Sequence, residues 1–161
     1  MTDNLGLRAI YDIVEIAGGP KRFLKFMQRE VPRKILVVSL DASVPPKSDL
    51  SKSARLAGPA TTVNTMSGIQ IHRYNAATKD LIHETLTGWA EELSKAGTPV
   101  EYYFVQLSFN QHKNAETVSK LEKIPTAFTL DDSDVDLLID TGKTLLRQHP
   151  EFIRFLKETQ N

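Results

Sequence analysis

The sequence contains no cysteine among its 161 residues. This absence excludes disulfide bonds, thiolate metal ligands and a cysteine nucleophile. There is also no run of about 18 consecutive apolar residues, so no membrane-spanning helix is predicted. The residues after Met1 lack a basic segment followed by an apolar core, and no signal peptide is predicted. By default, these absences favour a cytoplasmic protein.

The chain also lacks an excess of charge of either sign. Lys+Arg and Asp+Glu both number 20, which gives a formal net charge of zero. Without a basic excess, nothing in the overall charge attracts nucleic acid, and no nucleic-acid partner is expected. The apolar content of 40% and the charged content of 25% are normal for a globular protein. The length is that of one domain, so residues 1–161 are predicted to form a single region.

Apolar residues at helical spacing predict about six helices. The first covers 6–17, with Asp3 or Asn4 as its N-cap residue, and the second covers 20–30. A very long helix is expected near 61–95. The remaining helices are one at 115–121, one that Thr129 caps with Asp132 as its reciprocal partner, and one that begins at Pro150.

Two segments have the pattern of β-strands, 34–41 and 99–109. The first contains four consecutive apolar residues, Ile35 to Val38, which is typical of a strand covered on both faces. Such a strand needs neighbours, and an isolated pair of strands is marginal. The pattern therefore indicates an α/β fold that is either a piece of a larger sheet or a small domain with an unrecognised third strand. The segment 42–60 is predicted to be an irregular loop.

No catalytic or cofactor motif is complete in this sequence. A nucleophile elbow requires Gly-x-Ser-x-Gly, and Thr65 occupies the first glycine position before Ser67. The string that begins at Gly142 resembles the end of a P-loop, but Leu137 stands where the upstream glycine is needed. We therefore expect no catalytic residue and no cofactor-binding residue in this chain.

Acidic residues and histidines give no metal site by spacing. Four aspartates precede or open a predicted helix: Asp131, Asp132, Asp134 and Asp136. They lack the glycine and glutamate of a calcium loop, and we interpret them as acidic residues favoured by the helix dipole. His72 and His83 lie three helical turns apart, too far to share one ion. A further interpretation is that the chain is an enzyme in its own right. Its candidate catalytic residue is then His72, His83 or Asp41.

Residues 3–8, Asp-Asn-Leu-Gly-Leu-Arg, resemble the segment after the catalytic Asp-Gly-Gly turn of bacterial patatin-like phospholipases. Further features that resemble this family are the apolar strand that ends near Asp41, the long helix with Thr61 and Ser67, and the strand 100–109. The string Ile-Pro-Thr-x-Phe at 124–128 adds to them. The resemblance covers nearly the whole chain and implies the helix-rich C-terminal part of a patatin-like three-layer α/β fold.

The resemblance also implies a function for the parent enzyme. The family hydrolyses acyl esters of phospholipids and other lipids with a serine–aspartate dyad and a glycine-rich oxyanion loop. None of these elements occurs in this sequence, so the chain is expected to be inactive alone. Asp3 and Asn4 are expected to lie next to the family's active site, where they cap the following helix and hold the turn.

Two kinds of partner follow from this interpretation. A lipid or membrane surface is expected through the parent enzyme, and either the missing N-terminal part or a second copy of the chain is expected at the sheet edges. The alternative is a non-catalytic binding or interaction module derived from the family. Its contact surface is then formed by the helix at 61–95 and the loop at 42–60.

Overall fold

The computed structural model describes residues 6–42, 59–95, 97–125 and 127–160. Its elements, in chain order, are α1 (Leu7–Ile16), α2 (Pro20–Phe26), β1 (Lys34–Asp41), α3 (Pro59–Ser94), β2 (Glu101–Ser108), a 3-10 turn (Phe109–Gln111), α4 (Ala115–Leu121), α5 (Asp132–Gln148) and α6 (Pro150–Thr159). Among the described helices, none combines the length and the hydropathy that crossing a bilayer requires.

The two strands pair in parallel to form one sheet. Lys34 lies opposite Glu101 at one end, and Asp41 lies opposite Ser108 at the other. The amide of Glu101 donates to the carbonyl of Arg33 at 3.0 Å, which fixes the register. The prediction of two strands is confirmed, and β1 has the predicted limits. Within the described ranges there is no third strand.

Helices pack on both faces of this sheet. One face carries Ile35 and Val37 of β1 and packs against Leu7 of α1 and the C-terminal half of α3, where Ile82 and Leu86 are buried. The mixed α/β class is therefore confirmed, with a helical layer on this side. Burying a leucine such as Leu86 contributes roughly 2 kcal/mol to folding.

The opposite face packs against the C-terminal helices. Val105 and Leu107 of β2 are buried there with Leu145 of α5, and Phe152 of α6 packs against the same cluster. Side chains of adjacent residues in a strand point to opposite faces. The buried alternation of β2 therefore places its odd-numbered residues towards α5 and α6.

Several helix ends and caps differ from the sequence prediction. The N-cap residue of α1 is Gly6, in a left-handed conformation with φ of 66°, so the prediction of Asp3 or Asn4 is wrong. The N-cap residue of α5 is Asp131, so the predicted cap at Thr129 is also wrong. The second helix ends at Phe26 because Gln28 adopts a φ of 53°, a left-handed conformation that commonly terminates helices.

The long helix α3 begins at Pro59, two residues before the predicted start. Its final turn is anchored by Ser94, whose Oγ accepts from the amide of Val100 at 2.8 Å and donates to the carbonyl of Ala90 at 2.7 Å. This hydroxyl therefore fixes where the chain leaves α3 and enters β2.

Candidate functional site

The residues predicted to lie near the family's active site, Asp3 and Asn4, fall outside the described residues. The same is true of positions 43–58 in the predicted loop 42–60, whereas Pro59 and Ala60 belong to α3. The candidate sites discussed below are therefore those formed by the sheet and the helices around it.

Asp41 lies at the carboxyl end of β1, the region where ligands commonly bind in α/β sheets. It is 5% exposed. Its Oδ2 is 2.8 Å from Nζ of Lys79 on α3, in a largely buried ion pair. The ammonium group compensates the buried carboxylate, which suits a structural link between β1 and α3 better than a free catalytic base.

A groove of about 1010 Å³ lies between α3 and α6 along the outer edge of β2. Its lining includes His83, Thr87 and Glu91 of α3, Tyr102 and Phe104 of β2, and Arg154 of α6. In a parallel pair, alternate residues direct their backbone groups towards the neighbouring strand. Because the amide of Glu101 faces β1, the backbone groups of Tyr102 and Phe104 face this groove.

Three side chains form a hydrogen-bonded chain in the groove. The hydroxyl of Thr87 donates to the carbonyl of His83 at 2.9 Å, so its oxygen is left to accept from the hydroxyl of Tyr102, also at 2.9 Å. The Tyr102 oxygen lies 3.3 Å from Nε2 of His83, and the two rings meet edge to face. These contacts fix the orientation of the three polar side chains in the groove.

On the opposite face, the fully buried Tyr103 links β2 to α6. Its hydroxyl contacts the carboxylates of Glu101, at 2.8 Å, and Glu158, while the guanidinium of Arg154 lies 4.4 Å from its ring centre. Burial, followed by the hydrogen bonds to Glu158 and Glu101, raises the pKa of Tyr103 far above its ordinary range. Tyr103 is therefore a protonated donor rather than a nucleophile.

The described histidines outside the groove have structural contacts. Nδ1 of His112 accepts from the amide of Asn114 at 3.2 Å. Nδ1 of His149 accepts from the amide of Glu151 at 3.3 Å and so caps α6. The side chain of His72 lies outside the described part of the structure.

The aspartates near α5 occupy its N-terminus. Asp131 is the N-cap residue, and Asp132 and Asp134 lie in the first turn, where the helix dipole favours negative charge. Within the described ranges, no group of three acidic or histidine side chains is placed to hold a metal ion.

An apolar cavity of about 300 Å³ lies beneath α1 and α2. Ile10, Phe23, Ile35 and Trp89 contribute to its walls. Ile10 is also 46% exposed, so the cavity lies beside a partly uncovered apolar surface next to β1.

The outer edge of β1 is open in the part of the chain that the structure describes. The backbone groups of Leu36, Val38 and Leu40 point away from β2 by the register of the sheet. The side chains of Val38 and Leu40 are 46% and 54% exposed. The expectation that β1 is covered on both faces is therefore wrong for its second half, because α5 and α6 lie over β2.

The sequence analysis missed Lys79 as the partner of Asp41 and missed the cluster at Tyr102. Lys79 is 38 positions from Asp41, and no spacing rule connects a strand end to a distant helical turn. The alternating pattern of β2 is a signal for its two faces, but it does not indicate which helix covers each face.

Comparison with known proteins gave no match to a family model, a curated protein or a solved structure. The resemblance to patatin-like phospholipases therefore rests on the sequence strings described above.

Proposed function

We propose that this chain is the non-catalytic, helix-rich C-terminal part of a patatin-like lipid acyl hydrolase. It supplies two parallel strands and their covering helices to a larger sheet, and the reaction of the whole enzyme is hydrolysis of acyl esters in lipids. The observation that carries this proposal is the open outer edge of β1, with Val38 and Leu40 half exposed.

The physical argument is that parallel strands are normally buried on both faces and that a two-stranded sheet is only marginally stable. A further strand beside β1 would pair the outward backbone groups of Leu36, Val38 and Leu40. A helix following that strand would cover the exposed side chains. Burying half of a valine and half of a leucine contributes about 2 kcal/mol together, in addition to the hydrogen bonds.

In this proposal the described residues have structural roles. Asp41 and Lys79 hold the carboxyl end of β1 on α3, and Tyr103 holds β2 on α6. The nucleophilic serine, the dyad aspartate and the oxyanion loop belong to the part of the enzyme that precedes this sequence, and lipid contact is a property of the whole enzyme.

The test is to compare the 161-residue chain with a longer protein that carries the in-frame upstream coding sequence. We expect no hydrolysis of a short-chain p-nitrophenyl ester or of phospholipid vesicles by the short chain. We expect hydrolysis by the longer protein, lost when the serine of its Gly-x-Ser-x-Gly is replaced by alanine. Turnover by the repurified short chain, or an upstream sequence without that motif, would contradict the proposal.

A second candidate, a self-standing binding module, is favoured by the groove between α3 and α6. Its open β2 edge and the hydroxyl groups of Thr87 and Tyr102 suit an extended peptide that adds as a strand. This candidate predicts cooperative unfolding of the chain alone and slower amide exchange at Tyr102 and Phe104 when a peptide binds. Broad, non-cooperative unfolding would count against it.

A further inference from the structure

Among the described residues, the middle of the open β1 edge, from Ile35 to Leu40, has none of the usual protection against pairing with another chain. Natural sheet edges carry lysine, proline or a bulge that discourages such contacts. From Ile35 to Leu40 the strand contains no charge and no proline, and its pairing with β2 runs without interruption.

We propose that two copies of this chain pair their β1 strands antiparallel around a twofold axis at Val38, which gives a continuous four-stranded sheet. This register places Val38 opposite Val38 and Leu36 opposite Leu40. A register centred on Val37 would instead place Lys34 opposite Leu40. On the face of the sheet that carries Val38, the register at Val38 therefore matches apolar side chains from Leu36 to Leu40.

Symmetry and charge both favour the antiparallel arrangement. An isologous pair closes at two copies, whereas a repeated parallel contact leaves an edge open at each step. With the axis at Val38, the two Lys34 residues stand about 27 Å apart, from the rise of about 3.4 Å per residue. The formal net charge of zero gives no overall repulsion between copies.

Helix α1 extends the contact beyond the strand edge. Ile10 is 46% exposed and lines the apolar cavity together with Ile35 and Val37 of β1. It therefore lies beside the edge, on the face opposite Val38. The dimer covers Val38 and Leu40 on one face of the joined sheet and Ile10 on the other.

The absence of cysteine allows a direct test of the register. Val38→Cys introduces a single thiol on the proposed axis. Directly opposed hydrogen-bonded residues have Cα atoms about 5.5 Å apart, within reach of a disulfide. We expect mild oxidation to give mostly covalent dimer. The matched control is Ile153→Cys on α6, since Ile153 is 37% exposed and α6 packs on β2, and we expect it to stay mostly monomeric.

The association itself is measured by sedimentation from about 1 to about 200 µM, a range that covers the micromolar affinities of modest interfaces. We expect the unmodified chain to shift from monomer to dimer. Val38→Lys should remain monomeric because it places two ammonium groups opposite each other, while Ile153→Lys should still dimerise. Amide exchange of the unmodified chain should slow at Leu36, Val38 and Leu40 as concentration rises.

The proposal is overturned by a monomer throughout that range, by equal cross-linking at positions 38 and 153, or by open-ended assembly of the unmodified chain. The dimer is proposed for the 161-residue chain alone, because in the proposed whole enzyme the same β1 edge pairs with an upstream strand. The two proposals fail separately, since the ester-hydrolysis comparison gives its answer whether or not the short chain dimerises.

Discussion

Lys79 on α3 and Asp41 at the end of β1 form an ion pair of 2.8 Å, and both side chains are largely buried. The pair joins the strand to the helix that covers it, at the carboxyl end of the sheet. Removing one partner of such a pair leaves the other charge buried, which is more costly than removing both.

We expect Asp41→Asn and Lys79→Met each to lower the free energy of unfolding by about 3 kcal/mol. The double variant should lose less than the sum of the two single losses, because neither charge is then left without its partner. Urea denaturation of the four proteins measures the coupling energy. The exposed pair of Lys143 and Asp140 is the control, and its removal should have no measurable effect. Additive losses at Asp41 and Lys79 would contradict this interpretation.

Tyr103 predicts a stability loss at alkaline pH. The pKa of Tyr103 is raised in the folded state. The stabilisation that this side chain contributes is therefore complete below about pH 10, the pKa of tyrosine in the unfolded chain, and it is lost as the pH rises above that value. The unfolding temperature should therefore fall more steeply above about pH 10 in the unmodified chain than in Tyr103→Phe. Tyr11→Phe on α1 is the control and should keep the steeper fall.

Glu158 predicts a second pH dependence, in acid. The hydrogen bond from Tyr103 is the main cause of its lowered pKa. A lowered carboxyl pKa stabilises the fold above the unfolded value, about 4.3 for glutamate, and this stabilisation is lost as the pH falls through the lower folded value. The loss of thermal stability below about pH 4 should be smaller in Tyr103→Phe. If the loss of thermal stability in acid is the same in Tyr103→Phe, the hydrogen bond from Tyr103 does not lower the pKa of Glu158.

Two serines next to the sheet should respond in opposite directions to alanine. The Oγ of Ser39 is buried and has no hydrogen-bond partner among the described residues, so Ser39→Ala should be neutral or stabilise by up to about 1 kcal/mol. Ser94→Ala removes one hydrogen bond within α3, to Ala90, and one from the amide of Val100 just before β2, and it should destabilise by about 1–2 kcal/mol. Thermal denaturation of both variants tests the contrast.

Two glycines provide a second matched pair. Gly142 lies in α5 with open space where a Cβ would be, so Gly142→Ala should stabilise by up to about 1 kcal/mol through helix propensity. Gly97 adopts a φ of 102°, which strains any L side chain, and Gly97→Ala should destabilise by about 1 kcal/mol or more. Equal effects of the two substitutions would contradict the described backbone.

Much of the secondary structure was predictable from local pattern. The apolar run in β1 and the helix at 115–121 have the predicted limits because hydrophobic periodicity and the Asn114 cap are local signals. The start of α5 was not predicted. Thr129 and Asp131 both have a suitable cap side chain, and the choice between them depends on how the chain approaches the helix.

The packing of β1 was less predictable than its existence. Its four consecutive apolar residues indicated burial on both faces, but Val38 is 46% exposed. The pattern shows that the strand is apolar, but it does not show which elements of the same chain pack against it. For the same reason, the groove at Tyr102 required the relative placement of α3 and α6, which no local spacing specifies.

The parallel pairing of β1 with β2 has a consequence for synthesis of the chain. The partner of Lys34 is Glu101, so the ribosome must add about 67 further residues before pairing of the sheet can begin. At typical elongation rates this interval is roughly 3–13 s. Throughout it, the uncharged segment from Ile35 to Leu40 has neither its strand partner nor the later helices. Yield in cells should therefore depend on translation speed and on chaperones that hold nascent chains.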